Sequence, residues 1–118
     1  MCGIVGILNS KSLKVDAIEI LKKLEYRGYD SAGISLFSDQ KIRTIKSVGK
    51  ISNLENKSKN ISDKIFSGVI GHTRWATHGI VSRNNAHPFS NENLTLVCNG
   101  IIENYSKIQN RYNEIPKN

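Results

Sequence analysis

The apolar residues of this chain arrive in short runs, many of them β-branched: CGIVGIL, ISLF, IRTIKSV, SGVIG and LTLV, separated by polar or glycine-bearing stretches. Runs of that length bounded by turn residues predict buried strands. Before residue 51 only one stretch repeats apolar residues at helical spacing. Leu13, Ala17, Ile20, Leu21 and Leu24 share a face, with Lys14, Glu19, Lys22 and Lys23 outside it and Ser12 placed to cap its start. The segment SDQK predicts a hairpin between ISLF and IRTIKSV. Residues 51–63 are polar and lysine-rich, so they are expected to be exposed and helical at best. SRNNAHPFSNEN reads as a loop, since Pro88 removes a backbone donor and Asn and Ser favour turns. LTLVCNG reads as a strand ending at a glycine, and IIENYSKIQNRY as the start of a helix. Strands outnumber helices and most connections are hairpin-length, which predicts an α+β layered sheet rather than a doubly wound parallel one. RYNEIPKN offers no apolar closing element, so the domain is expected to be cut short.

At 118 residues the chain is one domain or part of one. No apolar run is long enough to span a membrane, and MCGIVGIL lacks the basic start of a secretion signal, so a cytoplasmic protein is expected. The net charge of +7 raises nucleic acid as a partner. The lysines, however, are scattered and interleave with Asn and Ser rather than aromatics, which argues for a solvated surface. Cys2 and Cys98 form no C-x-x-C pair, and His72, His78 and His87 match no zinc spacing, so no metal is expected.

The chemistry gathers in CG at the start, EYRGYDSAG, GHTRWATHG and CNGIIEN, each beside an apolar strand. Cys2 admits two readings, a small buried strand residue or a nucleophile. Removal of Met1 would make Cys2 the first residue, and a free α-amine has an ordinary pKa of roughly 7.7–8.0, suited to a general base. Such a thiol carries its own base, as N-terminal threonine nucleophiles do. Asn99 and the Gly100 N–H could together supply two oxyanion donors, and Arg74 has the planar fork that holds a carboxylate.

Taken together, MCGIVGI, LEYRGYDSAGI, GHTRWATHG, NAHP and NGIIEN resemble, in order and spacing from Met1 to about Tyr105, the class II glutamine amidotransferases. Among these they are most similar to the N-terminal part of the glutaminase domain of the glucosamine-6-phosphate synthase family. A purine-synthesis relative would carry an HRGQ-like motif and a tyrosine in place of Trp75, and an asparagine synthetase would show RGPD. The resemblance implies an N-terminal-nucleophile hydrolase fold, with stacked antiparallel sheets between helix layers (αββα), here truncated. Residues 1–118 would then be a partial type 2 amidotransferase domain, without its C-terminal half or the sugar-phosphate isomerase domains.

The resemblance also implies roles. Cys2 attacks the side-chain amide of glutamine, Asn99 and Gly100 form the oxyanion hole, and Arg74 pairs with the substrate α-carboxylate. Thr77 and His78 line the same pocket, Trp75 stands beside it where ammonia transfer is gated, and Arg27 lies in a loop near the nucleophile. No cofactor or metal is implied. In the full-length enzyme, a homodimer, the ammonia would convert fructose 6-phosphate to glucosamine 6-phosphate.

Two departures stand out. Cys98 replaces an expected histidine, on a strand where it would point away from Asn99 and affect packing only. The acidic residue that would hold the substrate amine, in an S-x-T-D-T-E-like segment, has no counterpart before Asn118. The alternatives are a catalytically incompetent truncated remnant and the glutaminase domain of another class II amidotransferase.

Overall fold

The computed structural model describes residues 2–76 and 79–112. In chain order its elements are β1 (Gly3–Leu8), α1 (Leu13–Lys23), a 3₁₀ turn (Glu25–Arg27), β2 (Ser31–Phe37), β3 (Ile42–Val48), α2 (Ile51–Ser58), β4 (Gly68–Arg74), β5 (Phe89–Ser90), β6 (Thr95–Leu96) and α3 (Tyr105–Arg111). The fold is α+β, with antiparallel pairing throughout the described residues. One sheet runs in the order β1-β4-β2-β3, and β5 and β6 form a separate pair. The expected hairpin joins β2 to β3, closed by the Ser38 N–H donating to the Lys41 carbonyl at 2.9 Å.

Strand β4 enters between β1 and β2, antiparallel to both, so the starts of β1 and β2 and the end of β4 meet at one end of the sheet. Helices α1 and α2 pack on the sheet and bury Leu13, Ala17, Ile18, Leu21, Ile51 and Leu54 with Val5, Ile34, Leu36 and Val69. Full burial of one such Leu, Ile or Val contributes roughly 1.5–3 kcal/mol.

Four expectations need correction. Ile18 is buried and Ile20 exposed, because the two flank the Leu13–Ala17–Leu21 stripe on opposite sides and the helix rolls toward Ile18. Ser12 occupies the cap position of α1 but makes no side-chain capping bond; instead the Ser10 hydroxyl donates to Asp16 at 2.7 Å and accepts the Ser12 N–H at 3.1 Å. Residues 51–63 are helical over 51–58 and largely exposed as expected, but Ile51, Leu54 and Ser58 are buried. Helix α2 buries Ile51 and Leu54 at i,i+3 spacing, an anchor too short to stand out in the sequence from the polar residues around it.

Lys14 is not simply outside α1. Its ammonium donates to the Ser58 and Ile61 carbonyls at 2.7 and 2.6 Å, at the C-terminal end of α2. Glu25 caps the other end of that helix by accepting the Ile51 N–H at 3.1 Å. Helix α2 is thus held at both ends by side chains from the preceding helical segment.

Candidate active site

The shared end of β1, β2 and β4 collects three of the glycine-bearing clusters. Gly3 pairs with Thr73 and Ser31 with Arg74. The Gly3 N–H donates to the buried Thr73 hydroxyl at 3.1 Å, which anchors the first residue of β1. Gly28 closes the 3₁₀ turn against β4. A Cβ there would lie 2.5 Å from the Arg74 carbonyl carbon, so only glycine permits the approach. The turn carries Arg27, whose Nε donates to the Cys2 carbonyl at 3.3 Å. Next to it the Asp30 carboxylate accepts the Ser31 hydroxyl at 2.9 Å and the Ala76 N–H, fixing the chain that leaves β4.

The fourth cluster arrives from far along the sequence. Asn99 Oδ1 accepts the Cys2 N–H at 3.3 Å, across 97 positions. With Met1 present this nitrogen is a peptide N–H; with Met1 removed it is the α-amine. Because Oδ1 faces a donor, Nδ2 is the donor end of the same amide. Cys2, Gly3, Ile4, Leu24, Arg27 and Asn99 line an open cleft of about 300 Å³, at the small end for a ligand site.

The other expected residues are placed less closely around this cleft. Arg74, 8% exposed, ends β4 and donates from Nη1 to the Ile80 carbonyl at 3.0 Å, without lining the cleft. Trp75 is half exposed and stands edge-on to Tyr29, with ring centroids 5.8 Å apart. Gly100 follows Asn99 in the exposed turn after β6. Thr77 and His78 lie outside the described residues.

A strap formed by residues 79–98 delivers Asn99 to the site. Lys46, Gly33 and His72 are register partners across β3, β2 and β4, so they share one face of the sheet. Gly33 leaves a gap in that row, and the strap settles into it with the His87 carbonyl where a Gly33 Cβ would be. The His87 ring then stacks on His72 at 4.3 Å and 17°, and Phe89 takes the Lys46 ammonium at 4.7 Å from its ring centre.

Each imidazole holds one backbone group of Cys98. His72 Nε2 lies 2.9 Å from the Cys98 carbonyl, and the Cys98 N–H donates to His87 Nδ1 at 3.3 Å. A carbonyl only accepts, so His72 carries its proton on Nε2, while His87 Nδ1 is bare. Burial pushes both imidazoles below the ordinary histidine pKa. For His72 the Cys98 carbonyl opposes that shift; for His87 the charges of Lys46 and Arg74, and the cost of a second cation beside the stacked His72 ring, extend it, to about 4.

Cys98 itself departs from expectation. It lies beyond β6, exposed and outside any strand, because the β5 partner of that ladder is preceded by Pro88, which has no N–H to extend the pairing. Thr73, Asp30, His72 and His87 were not legible as site supports, although each lies inside a glycine- or proline-bearing cluster, which was the available signal. Among the described residues no three His, Cys, Asp or Glu side chains are grouped to hold a metal, and no helix is long and apolar enough to cross a membrane.

No family model matches the chain. Curated proteins do. Over 109 residues it is 50% identical to the glutamine–fructose-6-phosphate aminotransferase [isomerizing] of Helicobacter pylori, covering 92% of this chain and 18% of that protein. The protein of the same name from Clostridium tetani is 51% identical over 111 residues, with the same coverage of both. That from Campylobacter jejuni is 44% identical over 111 residues, or 94% of this chain and 19% of the relative. The chain thus spans less than a fifth of the length of the curated relatives it matches. Over nine-tenths of its own length, then, this chain is similar at about half identity to a segment of the glutamine–fructose-6-phosphate aminotransferases, and the resemblance read from its motifs stands.

Proposed function

We propose that this chain carries the nucleophile and oxyanion hole of a glutamine amidotransferase. The observation that carries the reading is the Cys2 N–H to Asn99 Oδ1 contact, which joins the two ends of the motif set at one cleft. With Met1 removed, the Cys2 α-amine takes the thiol proton and Sγ attacks the side-chain carbonyl carbon of glutamine. The tetrahedral oxyanion is stabilised by Asn99 Nδ2 and the Gly100 N–H, and each such donor is worth roughly 3–4 kcal/mol of barrier. The amine returns its proton to the leaving nitrogen, the C–N bond breaks, and ammonia departs. Water then hydrolyses the glutamyl thioester, giving glutamate and restoring the thiol.

In this reading Arg27 steadies Cys2 through its carbonyl, and Arg74 binds the substrate α-carboxylate. Thr77 and His78 line the pocket and Trp75 borders the ammonia route. The sheet and its helices are part of an αββα N-terminal-nucleophile domain of type 2 amidotransferase kind. In the whole protein, a cytoplasmic homodimer, the ammonia is passed to fructose 6-phosphate to form glucosamine 6-phosphate.

Glutamate release from glutamine tests the reading, measured in the intact protein with Cys2→Ala as the control. The expected result is loss of activity in the variant and a mass lacking Met1 in the active protein. A Cys2→Ala protein that keeps the glutaminase rate, or an active protein that retains Met1, refutes it.

A further inference from the structure

The strap carrying Asn99 has almost no regular pairing of its own, since β5 and β6 hold only two residues each. Something else must set where Asn99 and Gly100 stand. We propose that His72 and His87 are positioning residues for the oxyanion hole: as a stacked, neutral pair they grip the carbonyl and the N–H of Cys98, and so fix the direction in which the next two residues present their donors. For its catalytic consequence the inference rests on the glutaminase reading above.

Three features carry it. Both polar backbone groups of the residue just before Asn99 are held, by two side chains that stack on each other. His72 sits in the middle of the sheet on β4 and is fully buried, so the grip is referred to a rigid element. Gly33 makes room for the His87 backbone, which aligns the two rings.

The pair must also be neutral. Protonated at Nδ1, His87 would turn a donor toward the Cys98 N–H. Burial opposes that charge most, and His72 and Arg74 on β4 and Lys46 on β3 also disfavour a cation there. Asp30, before β2, and the Cys98 carbonyl favour one on His72, but burial outweighs them. Holding Cys98 by its main chain also explains how a cysteine is tolerated at that position, since its exposed side chain takes no part in the grip.

Four single variants of the intact protein test this. His72→Leu and His87→Leu remove the grip, whereas His72→Gln keeps an N–H donor near Nε2 and His87→Asn keeps an acceptor near Nδ1. The leucine variants should lose about 10²-fold in kcat for glutamate release, as when one oxyanion donor is lost, with KM changed far less. The Gln and Asn variants should recover most of that loss. Iodoacetamide should still alkylate Cys2 at the parent rate, which separates misplacement of Asn99 from unfolding. Hydrogen exchange of the peptide spanning 94–102 should quicken in the leucine variants only.

Unchanged kcat in both leucine variants overturns the proposal, as does unchanged exchange in that peptide. If a leucine variant does not fold, a Gln or Asn variant as impaired in kcat as Asn99→Ala overturns it instead. A parent protein that releases no glutamate removes the glutaminase reading, and the exchange result still decides the grip.

Discussion

Adding one methyl group at Gly33 should separate the strap from the sheet. A Cβ at this position would lie 2.1 Å from the His87 carbonyl oxygen and 2.9 Å from Pro88 Cδ. Ordinary contact requires a displacement of at least about 1 Å. Strand β2 cannot supply it, because it is hydrogen-bonded to β3 on one side and β4 on the other. The strap must lift, and that draws the His87 ring off His72 and its Nδ1 away from the Cys98 N–H. Overpacking of this kind costs about 1–3 kcal/mol.

The same sheet provides the control. A Cβ on Gly6 of β1 meets nothing within 4 Å, so Gly6→Ala should be neutral or stabilise by about 0.4–1 kcal/mol through the unfolded chain. In urea, Gly33→Ala should lower the unfolding midpoint by about 1 M with little change in slope, and Gly6→Ala should not lower it. If Gly33→Ala is as stable as the parent, or if the two variants lose stability equally, the strap is not seated on β2 as described.

Three further outcomes are expected. Lys14→Met removes the ammonium from the Ser58 and Ile61 carbonyls and should cost about 1–2 kcal/mol of unfolding free energy in denaturant titration, leaving the cleft unaffected. Asp30→Ala leaves the Ala76 N–H and the Ser31 hydroxyl without their acceptor and should cost about 1–3 kcal/mol. The chain has a single tryptophan, Trp75, so its emission should change in Asp30→Ala and not in Lys14→Met.

The third outcome concerns pH. His72 and His87 have folded pKa values below their unfolded ones, so in mild acid the unfolded chain binds protons that the folded chain does not. Their contribution to stability should therefore fall as pH drops from about 6.5 to about 4, and His87→Asn should flatten that slope in denaturation midpoints measured across the window.

The strand runs were legible because burial and β-branching are local properties. IRTIKSV and SGVIG became β3 and most of β4 with little ambiguity. The burial of α2 was not legible, since two apolar anchors among lysines and asparagines acquire meaning only when a sheet lies beneath them. Cys2 and Asn99 were legible as candidate residues in recognisable clusters, whereas their contact comes only from the way the chain folds back.

The helix-capping role of Lys14, the Asp30 anchor and the Cys98 grip escaped the sequence for a common reason. Each is a side chain bonded to backbone groups distant in sequence, and no periodicity encodes such a pairing. The amino-acid sequence by itself determined the α+β class, the residue types gathered at the candidate site and the similarity to the aminotransferases, because these depend on local pattern and residue identity. Only the tertiary structure decided that β4 enters between β1 and β2, and that a strap seated on Gly33 brings Asn99 to Cys2. Those outcomes depend on which surfaces fit together once the chain has closed.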